Sequence, residues 1–345
     1  MEKPLLALTM GDPAGIGPEI ILKAHYSREA RAAAELIVIG FPEPFLRDAD
    51  MLNLDINVHT IGHPRERSGD PDTVDLLVPE KDFPCPVSYG AVDPRSGKAA
   101  GLCIETSARF ALDRRIDAVV TAPINKESLN TGGYDYPGHT EFYRDLTGAP
   151  DIGMLITLGD LRVIHVTTHT AIKNVPALVT RERIVRVATL MGDAIRLLGI
   201  DRPRIAVSGL NPHAGEAGMF GDEEIEQIIP AVGELRQRGI EATGPLPPDT
   251  VFARAYCGEF DGVVAMYHDQ GHIALKLAGF RLGTGAREVG GVNSTLGLPI
   301  IRTSVDHGTA FDIAGKGVAS PRSMVDAIET AAAFVNGKRC RNGIC

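Results

Sequence analysis

Short apolar runs alternate with longer amphipathic segments along most of the chain, and this alternation constrains the fold more than any other feature. The runs have the length of buried strands, and a sheet covered on both faces requires such continuous apolar stretches. Strands that alternate with helices predict an α/β protein with a largely parallel sheet. The predicted strands include LLALT (5–9), ELIVIG (35–40), DAVVTA (117–122), RIAVSG (204–209) and GVVAMY (262–267).

Two predicted helices and one hairpin complete the local pattern. Residues 181–199 carry apolar side chains at helical spacing, with Thr180 as the candidate N-cap and Gly199 as the stop. Residues 222–239 open with three carboxylates, which suit the positive N-terminus of a helix. Residues 152–167 differ, because two apolar runs are joined by the turn GDL. This segment predicts an antiparallel hairpin at a sheet edge or in a separate arm.

Composition limits the functional classes. A chain of 345 residues favours two domains or one large one. The net charge of −9, without a long basic run, argues against nucleic-acid and membrane-surface partners. No secretory signal or bilayer-spanning run is recognisable, and the five cysteines are odd in number and scattered. We therefore expect a cytoplasmic protein with reduced thiols, including a mobile, reduced tail that carries Cys340 and Cys345.

Three predicted strands in the second half lead to histidines. These residues are His169, His213 and His268. Because ligands of open α/β sheets gather at the carboxyl ends of strands, the three imidazoles could converge on one transition-metal ion such as zinc. The alternative is that separate histidines cap strand ends or satisfy hydrogen bonds in the core. His165, inside its run, is expected to be a core residue.

Two further segments could bind an anion or a cofactor. YPGHTEF (136–142) places His139 and Thr140 at a helix start, where they could form a phosphate or carboxylate pocket, although a helix cap accounts equally well for Thr140. Lys276 and Arg302 could complete such a pocket or could be solvated surface residues. The Gly-rich turn LTMGDPAGIGPEI (8–20) lacks the Rossmann spacing and could hold an anion or be an ordinary tight turn.

Taken together, these segments resemble the 4-hydroxythreonine-4-phosphate dehydrogenase (PdxA) family. The resemblance extends over nearly the whole chain. The matching segments are TMGDPAGIGPEI, TAPINKESL (121–129), YPGHTEF, VTTH, GLNPHAGE (209–216), PLPPDTVF, AMYHDQGH and LGLPIIRTSVDHGTAFDIAG (296–315).

The resemblance implies a two-domain, three-layer α/β/α subunit similar to isocitrate and isopropylmalate dehydrogenases, with a cleft between the domains. Residues 1–130 and 305–345 would form the first domain. Residues 131–304 would form the second domain, which would include a dimerisation hairpin. The resemblance also implies a homodimer with a metal site shared between subunits.

The resemblance also implies site residues and cofactors. It implies NAD or NADP, bound near the loop that contains Asn293, and one divalent ion, zinc, cobalt, manganese or magnesium. Lys276 is the first choice for proton transfer, although a role in phosphate binding is nearly as well supported. Asp249 and Asp269 are the second choices for proton transfer, or they orient ligands and water. The implied metal ligands are His169, His213 and His268, and the implied substrate contacts are His139, Thr140, Lys276, Asn293 and Arg302.

The implied reaction is oxidation with decarboxylation of 4-phosphooxy-L-threonine to 3-amino-2-oxopropyl phosphate in pyridoxal phosphate biosynthesis. Three segments are also similar to a branch that oxidises 4-phospho-D-threonate or 4-phospho-D-erythronate: MFGDEE (219–224), PPDTVF (247–252) and YHDQGHIALKL (267–277). RLGTGAREVGG (281–291) is longer than expected for the biosynthetic enzyme. A branch acting on aromatic cis-dihydrodiols is disfavoured by Arg302. From a different class, a metal-dependent phosphatase or a phospho-acid binding protein would use the same contacts.

Overall fold

The structure is a computed structural model that describes residues 2–81, 83–86, 88–279 and 291–343. Residues 281–290, most of the segment expected to be longer than in the biosynthetic enzyme, lie outside this range. The strands are β1 (Leu5–Thr9), β2 (Glu35–Ile39), β3 (Asn57–Ile61), β4 (Thr73–Leu77), β5 (Ala118–Thr121), β6 (Gly153–Leu158), β7 (Leu161–His165), β8 (Ile205–Ser208), β9 (Ala242–Leu246), β10 (Gly262–Ala265), β11 (Val292–Leu296) and β12 (Ile301–Val305).

Twelve α-helices are assigned within the described residues. They are α1 (Gly17–His25), α2 (Arg28–Ala33), α3 (Pro42–Met51), α4 (Pro94–Leu112), α5 (Lys126–Thr131), α6 (His139–Thr147), α7 (Val175–Leu178), α8 (Arg181–Leu197), α9 (Ile229–Gln237), α10 (Pro248–Tyr256), α11 (His268–Gly279) and α12 (Arg322–Arg341). Thr180 caps α8 as predicted, because its side chain accepts a hydrogen bond from the Arg183 N–H at 3.3 Å. The α/β class is confirmed.

The chain divides into two compact units, and the first comprises Met1–Asp151 and Leu298–Cys345. Its strands pair in the order β3-β4-β2-β1-β5-β12, and every pair is parallel. Leu6, Ala7 and Leu8 in β1 are fully buried, as are Val119 and Val120 in β5. These continuous apolar strands are therefore buried on both faces of the parallel sheet, as the sequence predicts.

The second unit, Ile152–Gly297, contains both parallel and antiparallel pairs. Its strands pair in the order β11-β6-β7-β10-β8-β9, with β6 antiparallel to both of its neighbours. The predicted hairpin is confirmed as β6 and β7. Its placement at an edge or in a separate arm was wrong, because β11 pairs with β6 and β10 pairs with β7. A dimerisation role for this hairpin stays a prediction.

The unit boundaries differ from the expected domain boundaries at both places where the chain passes from one unit to the other. Helix α6 belongs to the first unit because it packs on α4, where the Tyr143 and Ser107 hydroxyls lie 2.6 Å apart in the core. Strand β12 belongs there because it pairs with β5. The expected second domain, residues 131–304, contains all of α6 and most of β12.

Two findings concern the expected environment of the chain. Cys340 is disulfide-bonded, so the expectation that Cys340 is reduced is wrong, whereas Cys345 lies outside the described residues. Cys85, Cys103 and Cys257 are free thiols. Among the described helices, none combines the length and the apolar character needed to cross a bilayer.

Candidate functional site

Two of the predicted metal ligands lie together at the carboxyl ends of neighbouring strands in the second unit. β7 and β10 are parallel, with His165 opposite Ala265 in the register. His169 follows β7, and His268 opens α11 directly after β10, so both imidazoles emerge at the same sheet edge. Their ring centroids are 5.6 Å apart. The sequence predicts that histidines at two strand ends lie close together, and for His169 and His268 the geometry agrees.

Asp269 determines which ring nitrogen of His268 donates a hydrogen bond. Its carboxylate Oδ1 lies 2.7 Å from His268 Nδ1. Because an ionised carboxylate can only accept, Nδ1 is the donor, and in a neutral ring Nε2 is the nitrogen that can bind a metal ion. Such a carboxylate contact is the usual way in which a metal-binding imidazole is oriented. The geometry therefore favours an orienting role for Asp269 over proton transfer.

His213 lies in a left-handed turn within the segment Pro212–Gly218. Six consecutive residues, 213–218, have positive φ, and four of them are not glycine, with His213 at φ 54°. Non-glycine residues adopt this region at a cost, and such strain is concentrated at functional sites. His213 does not join His169 and His268 in one chain, since no group of three potential metal ligands occurs among the residues that the structure describes.

Two side chains that sequence reasoning missed hold these segments in place. Glu224, 2% exposed, accepts hydrogen bonds from the backbone N–H groups of Leu210 at 2.7 Å and Asn211 at 2.8 Å. The sequence predicts that this carboxylate serves a helix N-terminus, but Glu224 is a buried residue of the π-helical turn Glu224–Ile228 that precedes α9. Gln270 accepts from the Met266 N–H and donates to the Gly209 carbonyl.

A cavity of about 330 Å³ adjoins the paired imidazoles. This volume falls at the small end of the range for ligand pockets. Its lining mixes hydroxyl, imidazole and carboxylate groups with aliphatic side chains. The lining residues are Thr168, His169, Thr170, Ala171, Ile172, Val175, Tyr267, His268 and Asp269.

In the first unit, Arg302 is a buried cation beside a neutral imidazole. Arg302 is 2% exposed, donates to the Thr121 hydroxyl, and lies 5.7 Å from the Tyr143 ring centroid. Burial lowers the pKa of Arg302 to about 10, so the guanidinium remains charged at neutral pH. Burial and the Arg302 charge hold the pKa of His139 well below its ordinary value, and the buried His139 Nε2 has no hydrogen-bond partner in the described part of the chain. A guanidinium with an adjacent neutral imidazole suits an anionic ligand.

Helix α6 adds backbone donors to the same region. The residue that precedes the helix is Gly138, and no side chain caps the N-terminus. Thr140 lies in the first turn, so the helix-cap interpretation of Thr140 is wrong. N–H groups of an uncapped first turn are available to an anion.

The remaining predicted residues lie in the second unit, at varied distances from His268. Asn293 is on β11, and its buried Oδ1 has no hydrogen-bond partner among the described residues, which leaves an acceptor for a ligand. Lys276 is on α11, about 12 Å from His268 along the helix axis at the usual rise per residue. Asp249 is exposed in the first turn of α10.

The Gly-rich turn joins β1 to α1 by close backbone contacts. Gly11 has φ 73°, and a Cβ there would lie 2.4 Å from the Pro123 carbonyl oxygen. Asp12 is fully buried, and its Oδ1 accepts from the Ala14 N–H at 2.9 Å. Burial raises the pKa of Asp12 to about 6. The glycine at position 11 is thus explained by tight packing against the β5 end.

These observations define an α/β enzyme with a candidate imidazole metal site and a candidate anion site. The family model for "Pyridoxal phosphate biosynthetic protein PdxA" matches residues 32–331. The chain therefore belongs to the PdxA family, and it is a dehydrogenase.

Relatives carry two different names. A D-threonate 4-phosphate dehydrogenase from Cupriavidus necator is 44% identical, over 95% of this chain and 96% of the relative. A 4-hydroxythreonine-4-phosphate dehydrogenase from Desulfosudis oleivorans is also 44% identical, over 95% of each chain. The crystal structure of a 4-hydroxythreonine-4-phosphate dehydrogenase from Klebsiella pneumoniae is similar, with a TM-score of 0.84, 44% identity, and coverage of 96% of this chain and 100% of that one.

Proposed function

We propose that the protein oxidises a 4-phosphorylated 3-hydroxy acid, with D-threonate 4-phosphate as the first candidate substrate and NAD or NADP as hydride acceptor. The observation that carries this proposal is the His169–His268 pair, whose centroids are 5.6 Å apart and whose second member is oriented by Asp269. The name of the Cupriavidus necator relative supports the substrate class.

The paired imidazoles fit a divalent metal ion. Two imidazoles bound to one tetrahedral zinc ion, with Zn–N about 2.0–2.1 Å, have ring centroids roughly 5 Å apart, close to the separation seen here. Neutral imidazoles suit zinc or cobalt better than magnesium. When bound, the ion would supply Lewis acidity toward an alcohol oxygen of the substrate.

We assign the third ligand, His213, to the site of a second copy of the chain. Exposed apolar residues flank both parts of the proposed site. Met219, 73% exposed, follows the left-handed turn, and Ile273 and Leu277, 68% and 73% exposed, lie four residues apart on one face of α11. Large exposed apolar groups are a feature of subunit interfaces. A homodimer would cover them and would complete a three-histidine site.

We propose that the anion site of the first unit binds a phosphate or a carboxylate group. Arg302 supplies the charge, His139 a hydrogen bond, and the first turn of α6 its backbone N–H groups together with Thr140. We propose that Asn293 contacts the substrate or the cofactor through its buried Oδ1.

Oxidation moves a hydride from C3 of the substrate to the nicotinamide and releases the hydroxyl proton. The product is a 3-oxo acid, whose C1–C2 bond breaks to release carbon dioxide because the ketone at C3 accepts the electron pair as an enolate, which then takes a proton at C2. We propose Lys276 for proton transfer or phosphate binding. Asp249 remains a second choice for proton transfer, and Asp269 orients His268.

4-Phosphooxy-L-threonine is the second candidate substrate, favoured by the name of the Desulfosudis oleivorans relative. It differs from D-threonate 4-phosphate in carrying an amine at C2, and the oxidised carbon is the same. A metal-dependent phosphatase would use the same anion contacts without a cofactor.

The test is to incubate purified protein with each acid and NAD or NADP. We expect reduced nicotinamide with at least one of these acids, its loss on chelation, and its return with zinc, cobalt or manganese. Release of inorganic phosphate without cofactor reduction would contradict the proposal and favour a hydrolase.

A further inference from the structure

Three imidazole rings lie close together in the second unit, and one of them belongs to the proposed metal ligand His268. The His272 ring lies 3.8 Å from the His268 ring, centroid to centroid, and is almost parallel to it, at 8°. His272 also lies 4.8 Å from His165, whereas His165 and His268 are 6.0 Å apart. His272 is therefore the ring that contacts both of the others.

A hydrogen bond to the backbone orients His272. Its Nδ1 lies 3.2 Å from the backbone carbonyl oxygen of His268, one helical turn earlier. A carbonyl can only accept, so this nitrogen carries the hydrogen. His272 is thus attached to the residue whose ring it covers, by a hydrogen bond to the backbone and by a face-to-face contact.

The other neighbour, His165, is a rigid support. It is fully buried in β7, and its Nδ1 lies 3.4 Å from the Met154 carbonyl oxygen. Helix α11 approaches it closely, since a Cβ at Gly271 would lie 2.5 Å from His165 Nε2. A glycine at 271 therefore permits the first turn of α11 to pack directly on His165.

We propose that His272 is a positioning residue that holds the His268 ring in its metal-binding orientation. Asp269 constrains one edge of the His268 ring, and His272 constrains one face. Removal of a residue that does not bind the metal itself but orients a metal-binding side chain commonly lowers metal affinity by roughly 10–100-fold. This inference rests on the proposed function, because it assumes that His268 binds a metal ion.

The test compares His272→Ala, which removes the face contact, with His272→Phe, which keeps a flat ring and lacks both nitrogens. Cobalt(II) is the probe, with affinity measured by competition against a chelator and ligand geometry read from the visible absorption bands. We expect His272→Ala to bind cobalt roughly 10–100-fold more weakly with altered bands. We expect His272→Phe to stay near wild type. Thermal unfolding without metal checks that each variant is folded.

Two outcomes would overturn the inference. Unchanged cobalt affinity in His272→Ala would show that the contact does not position His268. A loss in His272→Phe as large as in His272→Ala would show that a ring nitrogen, and not the stacked face, is required.

His169→Ala separates this inference from the proposed function, and His63→Ala in the first unit is the matched histidine control. If neither wild-type protein nor His169→Ala binds cobalt, the proposal of a metal site at His169 and His268 is wrong. If wild-type protein binds cobalt, His169→Ala does not, and His272→Ala matches wild type, the positioning role alone is wrong.

Discussion

Gln270 donates a hydrogen bond to the backbone carbonyl of Gly209 at 2.8 Å and so joins the first turn of α11 to the loop that leads to His213. Its Oε1 accepts from the Met266 N–H at 2.7 Å, which closes the end of β10. One amide side chain therefore connects the two segments that carry His268 and His213. We expect this bridge to contribute to the relative placement of these segments within the second unit.

Gln270→Ala should lower the free energy of unfolding by about 1–3 kcal/mol, because the Gly209 carbonyl and the Met266 N–H both lose a partner. Gln270→Glu should be destabilising as well, since a carboxylate accepts from Met266 but cannot donate to Gly209. Urea denaturation measures both changes. Gln237→Ala, at the exposed end of α9, is the matched control and should be nearly neutral. A Gln270→Ala variant as stable as this control would refute the bridge.

Glu224→Ala should destabilise the loop before His213, because the N–H groups of Leu210 and Asn211 lose a buried acceptor. We expect a loss of about 1–3 kcal/mol for each unpartnered group, and faster proteolysis within residues 209–218. Limited proteolysis and denaturation measure these effects. Glu226→Ala, an exposed carboxylate on the same turn, should change neither. Equal behaviour of the two variants would contradict the role assigned to Glu224.

Ile273→Asp combined with Leu277→Asp should yield a monomer, because two charges would be buried in the proposed interface. The same variant should lose bound metal if a second copy supplies His213. Light scattering gives the mass and elemental analysis the metal content. Val318→Asp, an exposed apolar position in the first unit, is the control and should remain dimeric. A metal-loaded monomer of the double variant would refute the shared site.

His25 should make the protein less stable in mild acid. His25 is 6% exposed, and burial followed by the Arg31 charge lowers its pKa from 6.5 to about 4. Between these two pH values the unfolded chain binds a proton that the folded chain does not, so stability falls as the pH drops from 6.5 to 4. The loss from this group should approach about 3 kcal/mol at pH 4.

His25→Phe removes this titration. As the pH falls from 6.5 to 4, the wild type should therefore lose more unfolding free energy than the variant. Denaturation at a series of pH values gives this difference. A difference that does not change with pH would show that His25 has an ordinary pKa.

The sequence predicts local elements well and distant pairing poorly. The five predicted strands and the Thr180 cap follow from neighbouring residues, and the structure confirms them. The place of the β6–β7 hairpin depends on β10 and β11, which are far away in the chain, so it could not be derived from local pattern.

The candidate site shows the same limit. Strand ends predict that His169 and His268 lie together, since adjacent parallel strands end at one edge. The left-handed turn at His213 has no such signal, because only Gly215 and Gly218 among its six residues favour positive φ. The burial of Glu224 and the contact between His165 and His272 depend on packing between distant segments.

The central claim is that His169 and His268 of one chain bind an ion together with His213 of a second chain. Mixing His213→Ala with His268→Ala tests it directly, since each variant alone should lack metal and activity. A dimer with one chain of each kind would contain one intact site, so random exchange should restore roughly a quarter of wild-type metal content and dehydrogenase activity. Mixed dimers, proven by two different tags, that remain without metal and activity would contradict the account.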